Sequence, residues 1–191
     1  SWGIRNIGAA DRQPNPVSAA MQFYWIWVPM NFQDFSIHYF VNQDADGNAW
    51  NENAVLIPKF GQGPEEVMVE REYKQIYQPG TRYAKSASIS LTRPDGRQCH
   101  IDLQPKWNFF MKGIGYGHET FSHGTYHSDL AIHREVYTLD EVPPENIHVQ
   151  AMCDVRLSHD EGQEAGQGII EQLVIGPHRP SGFSQLLDFA P

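Results

Sequence analysis

The chain has 191 residues, with 14 basic and 23 acidic side chains and a formal charge of −9 with histidine neutral. A single domain with a sizeable core is the default at this length. An acidic chain lacks the basic face that general nucleic-acid binding needs, and 12% aromatic with 19% charged residues excludes disorder. No apolar run reaches the ~20 residues that span a bilayer; the longest runs from Phe23 to Met30.

Residues 1–20 carry little pattern and read as a lead-in to a domain covering 21–191. Residues 21–28 (MQFYWIWV) are apolar throughout, which predicts a strand covered on both sides. Phe23, Trp25 and Trp27 share one of its faces and Tyr24 takes the other. Residues 34–42 alternate, with Phe35, Ile37, Tyr39 and Val41 opposite Ser36 and His38. Asp44 to Asn48 reads as a hairpin loop with Asp-Gly chemistry; its glycine falls too early for a calcium-binding helix-loop-helix. Residues 66–77 alternate, Pro79-Gly80 makes a turn, and 82–92 follow. Pro94-Asp95-Gly96 predicts a hairpin leading into 97–104, with Cys99, Ile101 and Leu103 on one face. Strands are further expected at 106–117, 124–137, 147–157 and 168–176. Residues 158–168 read as a polar, Gly-rich loop, and a short helix is expected near Ser184 to Phe189.

About ten alternating strands with little helix predict an all-β, antiparallel barrel. The cysteines, Cys99 and Cys153, sit among alternating apolar residues. Buried free thiols suit that setting, with a disulfide as the alternative. With no signal peptide and an opening at Ser1-Trp2-Gly3, the chain reads as an internal start. Its localisation is not fixed, a cytoplasmic one being favoured.

The aromatic segment Tyr24, Trp25 and Trp27 has two readings: filling of a core or interdomain seam, or one wall of a ligand site. Tyr39, Trp107 and Phe109 extend that wall. The stretch Gly113 to His127 is the densest in chemistry. Its histidines suggest a metal, yet His127 and His133 stand about 20 Å apart on a strand and do not share an ion. No metal or cofactor is therefore expected, although a metal-dependent barrel enzyme stays open as an alternative. For proton transfer, the acids lying among apolar residues are Asp34, Glu119, Asp129, Asp154 and Glu171; an apolar pocket favours the neutral, proton-donating form of such a group. No Gly-x-Ser-x-Gly elbow exists, which disfavours nucleophilic hydrolysis.

Four stretches occur in a suggestive order: Ser1-Trp2-Gly3-Ile4-Arg5, Tyr24-Trp25-Ile26-Trp27 with Asn31-Phe32, Gly113-Ile114-Gly115-Tyr116-Gly117-His118-Glu119, and Ser122-His123-Gly124-Thr125-Tyr126-His127. Together they resemble the lipocalin-like superfamily of carotenoid hydratase and kievitone hydratase, with its uncharacterised bacterial members. That resemblance implies a calycin-like barrel and a second, N-terminal sister domain in the full protein. It also implies a ligand class, a large apolar molecule of isoprenoid, steroid or polyphenol type. If the chain is an enzyme, hydration, dehydration or isomerisation of an alkene is expected. Glu119 or Asp129 would then be the acid, with His118, His123 and Tyr116 as positioning groups and His127 beside the ligand. A non-catalytic carrier with the same cavity is the alternative. A homodimer is also left open as an assembly.

Overall fold

The computed structural model of the chain describes residues 22–112, 127–142 and 147–191. The fold is all-β: a curled, antiparallel sheet of nine strands that forms a half-barrel. The strands are β1 (Phe23–Asn31), β2 (Phe35–Gln43), β3 (Ala49–Pro58), β4 (Glu66–Val67), β5 (Glu70–Tyr77), β6 (Ala84–Thr92), β7 (Gln98–Lys112), β8 (Ile147–His159) and β9 (Gly162–Ile175). Their order across the sheet is β4-β3-β2-β1-β9-β8-β7-β6-β5. β4 and β5 therefore lie at opposite edges while being adjacent in the chain. The two residues between them join those edges: the Met68 amide donates to the Ala54 carbonyl of β3, and the Val69 amide to the Thr92 carbonyl of β6. One extended segment thus curls the sheet onto itself, which leaves fewer free backbone groups at the edges.

Alternation builds the core. Ile26, Val28 and Met30 of β1 point inward with Ile37, Ile89, Ile101 and Ile170, and none has exposed surface. The turns follow the sequence chemistry. Asp44 Oδ1 accepts from the amides of Asp46 and Asn48, both at 2.9 Å, and Gly47 takes φ +88°. Gly96 closes the β6–β7 turn at φ +86°, a region where a side chain is strained.

β9 needs its glycines for packing. A Cβ on Gly166 would stand 2.6 Å from the Asn31 carbonyl oxygen and 2.8 Å from the Phe32 ring. A Cβ on Gly168 would meet the Pro29 carbonyl at 3.0 Å. β1 is thereby drawn close against β9.

Several expected elements differ. Residues 127–138 form no strand; Leu130, Ile132 and Val136 are exposed there, so alternation has no neighbouring strand to pack on. The polar loop of 158–168 is mostly strand, because the turn needs only Asp160 and Glu161 and the Gly-rich residues pair with β8. Ser184 to Phe189 is not helical: Asp188 accepts from the Ser184 and Gln185 amides and folds that segment as a bend. β3 was not expected, since its polar first half (Ala49 to Asn53) hides the alternation. The stretch 97–104 and residues 106–112 of the next expected strand share one long strand, β7, with an irregularity at Pro105, while 113–117 lie outside the described residues. Both cysteines are free, Cys153 buried and Cys99 half-buried.

A C-terminal strap (residues 176–191) closes one end of the barrel. The Arg179 amide donates to the Ala45 carbonyl, and the Gly80 amide to the Ala190 carbonyl. Arg82, buried, holds the strap from below. It donates to the carbonyls of Gly176, Gln185 and Asp188 at 2.7–2.9 Å and to the Asp188 carboxylate at 2.5 Å. Its guanidinium also lies 4.2 Å over the Phe183 ring.

Candidate functional site

The aromatic residues singled out in the sequence separate onto two faces. Tyr24 and Tyr39 point into the barrel. Trp25, Trp27, Trp107 and Phe109 lie on its outer face.

The inner tyrosines are packed and partnered. The Tyr39 hydroxyl donates to Glu52 at 2.8 Å, and its ring stacks on Tyr73 at 5.7 Å. Tyr24 stacks on His178 at 4.0 Å. Burial pushes the hydroxyls of Tyr24, Tyr39 and Tyr73 well above the usual tyrosine range, so they act as donors. His178 Nδ1 and the Tyr77 hydroxyl each lie 2.6 Å from Ser181 Oγ, and His178 Nε2 is 2.9 Å from Gln43 Oε1. This network pins the strap to the barrel.

The outer face carries the chemistry. Sheet register aligns Phe40, Trp27, Glu171, Gln150 and Phe109 in one row across β2, β1, β9, β8 and β7. Flanking rows contribute Trp25 with Leu173, and Met152 with Trp107. The result is an aromatic panel with a carboxylate near its centre. Trp25 Nε1 donates to Glu171 Oε1 at 2.9 Å, and Gln150 Nε2 donates to Oε2 at 2.9 Å. His148 Nε2 stands 3.4 Å from Oε1, their side chains 9% and 15% exposed. That contact is not aligned as a hydrogen bond, so the buried His148 Nε2 has no hydrogen-bond partner among the described residues. Burial by itself would raise the Glu171 carboxyl. The contacts from His148, Trp25 and Gln150 outweigh burial and bring it below the usual carboxylate range. Glu171 is therefore an ionised base, not the neutral acid an apolar pocket would make. His148 Nε2 lies beside that base.

Strand parity alone places Trp107 and Phe109 with Ile101 and Leu103, inside the barrel. The register shift between Pro105 and Trp107 reverses this, pairing Trp107 with Met152 and Phe109 with Gln150 on the outer face. Proline has no N–H for the ladder, and a bulge accommodates it. Trp107 is 74% and Phe109 61% exposed. A proline inside an aromatic strand was the available signal. His148 had none: it lies in an expected strand with no motif around it.

The other acids behave differently. Asp34 and Asp154 face solvent and pair with Lys59 at 2.8 Å and Lys106 at 2.9 Å. Asp129 and His127 are exposed, in and just before a turn. Tyr116, His118, Glu119 and His123 lie outside the described residues. Among the described residues, no three His, Cys, Asp or Glu side chains gather as a metal site, and no helix is long and apolar enough to cross a membrane.

Comparison with known proteins gives a family and a similar solved structure. The model of a family of unknown function (DUF8625) matches residues 1–184. No curated protein matches the sequence. The chain is similar to the crystal structure of kievitone hydratase from Nectria haematococca at 11% identity and a TM-score of 0.42. The match takes in 82% of this chain and 41% of that one, so this chain spans less than half the length of that protein.

Proposed function

Since the chain belongs to that family of unknown function, its activity has to be read from its own residues, and we propose that it binds an apolar small molecule against the outer aromatic panel and moves a proton there. One observation carries this reading: an ionised carboxylate, Glu171, held by Trp25 and Gln150 with His148 Nε2 at 3.4 Å, in a row of half-buried and exposed aromatic rings. Apolar rings provide the contact area of a small-molecule site, and a few placed polar groups orient the ligand. A histidine next to a fixed carboxylate is a general acid–base pair.

The reaction class that suits this pair is hydration, dehydration or isomerisation of an alkene. His148 donates the proton to the double bond, the Trp faces stabilise the developing cation, and Glu171 balances the charge and accepts a proton from water. The sequence resemblance supports an isoprenoid, steroid or polyphenol type of ligand. Because the panel lies on the outside of a curled sheet, its second wall comes from elsewhere. The sister domain implied by the resemblance is the wall we assign. Glu119, Asp129 and the neighbouring histidines remain proposed contributors.

Native mass spectrometry of the purified protein, together with Nile red fluorescence titration, tests the binding. Wild type should carry an apolar adduct or bind the dye saturably, and Trp27→Ala and Phe109→Ala should each weaken that at least about tenfold, a change of 1.4 kcal/mol. Unchanged binding in both variants would sink the assignment to this face. Glu171→Gln should leave binding within about twofold while removing any turnover; binding without turnover in wild type would favour the carrier.

A further inference from the structure

Among the described residues, the end of the barrel opposite the strap holds a groove. The β1–β2, β6–β7 and β8–β9 turns and the β3–β4 loop surround this groove of about 330 Å³. Its floor is apolar, made by Ile37, Leu56, Leu157 and Cys99. Ile37 and Leu157 belong to the core, so a molecule seated on them extends that core outward.

The rim is charged and out of balance. Asp34, Glu66, Asp160, Glu161 and Glu164 face two guanidiniums, Arg93 and Arg97. Both are committed. Arg93 holds Glu66 through two bonds of 2.6 and 2.9 Å. Arg97 binds Asp95 at 2.7 Å and reaches Glu161 at 3.5 Å. Lys59 takes Asp34 at 2.8 Å. Among the described residues, Glu164 has only His159 as an ion-pair partner, at 3.4 Å, and Asp160 has none. Beside the groove, the β3–β4 loop presents a fully exposed Phe60 next to Gly61, at φ +82°; Pro58 and Gln62 of the same segment line the groove.

We propose that this mouth binds a small amphiphilic cation. Its apolar body rests on the Ile37, Leu56 and Leu157 floor, and its protonated amine meets Asp160 and Glu164. Phe60 stands ready to cover the body. The choice of head group follows from charge. An ammonium finds carboxylates that no arginine or lysine has neutralised. An anionic head meets an excess of like charge, and a neutral one gains only the floor. The net charge of −9 also draws cations toward the chain. This site is separate from the outer panel and does not depend on it.

Calorimetric titration with octylamine, 1-octanol and octanoate at low salt tests the proposal. Octylamine should bind at least about tenfold more tightly than octanol, with octanoate weakest. Asp160→Asn with Glu164→Gln should bring octylamine to the level of octanol and leave octanol unmoved. Both carboxylates lie at the rim, outside the core, so the double variant keeps the fold. Raising salt to about 0.5 M should remove the same preference by screening. Bound octylamine should also slow alkylation of Cys99, which lines the groove, without affecting Cys153. Equal affinity for amine and alcohol, or a preference that survives the double variant, would overturn the charged half of the site. Failure of all three probes to bind at millimolar concentration, or undiminished Cys99 labelling at saturation, would overturn the site itself.

Discussion

Replacing Arg82 with methionine keeps an apolar stem and removes the guanidinium that anchors the strap. Four hydrogen bonds are lost, three to main-chain carbonyls of Gly176, Gln185 and Asp188 and one to the Asp188 carboxylate, along with the stacking over Phe183. They do not count equally. Asp188 keeps its bonds from the Ser184 amide and hydroxyl and from the Gln185 amide, so its carboxylate is not stranded. The Gly176 carbonyl is buried with the guanidinium and is left without that donor. An unsatisfied buried acceptor costs about 1–3 kcal/mol, and the lost cation–π contact adds about 1 kcal/mol. With the remaining charged bonds partly replaced by water, the total is about 3–5 kcal/mol, the range for breaking a buried charged contact. For a chain of this size, with an m-value of about 2 kcal/mol per molar urea, the midpoint should fall by about 2 M with m unchanged. Hydrogen exchange should quicken first at the amides of Gly80 and Ala190, which tie the strap to the β5–β6 turn. A variant within about 1 kcal/mol of wild type would refute the view that Arg82 is the strap's anchor.

Other consequences follow from single contacts. Burial lowers the His178 imidazole from 6.5 to about 4. The unfolded chain therefore takes up that proton at a higher pH than the folded one, and stability should decline as pH falls from about 6.5 toward about 4, by about 3 kcal/mol in all. Urea midpoints measured across this window, and the loss of the slope in His178→Gln, check it. Gly166→Ala should cost about 1–3 kcal/mol, because its Cβ runs into the Asn31 carbonyl and the Phe32 ring; thermal unfolding that matches wild type would contradict the close approach of β1 and β9. Trp25→Phe keeps the ring and removes a donor to Glu171, so about 1–2 kcal/mol should be lost, with no further loss when Glu171→Leu, which carries no acceptor, is already present. Burial pushes the Cys153 thiol up to about 12 and also raises Cys99. Native protein should therefore label slowly with iodoacetamide, Cys99 first, and peptide mapping should find Cys153 modified only after unfolding.

Much of the fold was legible because alternation is a local property. The buried residues Ile37, Tyr39 and Val41 of 34–42 follow directly from residue parity, and the turns at Asp44 to Asn48 and Pro94 to Gly96 from side chains that favour them. Where polar residues occupied a strand, as at Ala49 to Asn53, or where alternation had no neighbour, as at 127–138, the local pattern misled. Of the candidate site, Trp25, Trp27, Trp107, Phe109 and Glu171 were all named from the sequence. Their convergence was not, since it depends on which strands adjoin. β8 and β9 form a hairpin, but β1 lies beside β9 across more than a hundred residues of sequence, and β7 lies beside β8 across the segment that separates them.

The sequence by itself determined an aromatic-rich, antiparallel β protein, because periodicity and turn residues are encoded within a few residues, while the free state of both thiols was settled by the structure. Only the tertiary structure decided which face each ring takes and what stands beside it. The bulge at Pro105 turns Trp107 and Phe109 outward against their parity. The β1–β9–β8 pairing sets Glu171 against Trp25, Gln150 and His148, and this company makes it a base. A carboxyl group's charge depends on the donors its neighbouring strands present, and Trp25 reaches Glu171 only through the pairing of β1 with β9.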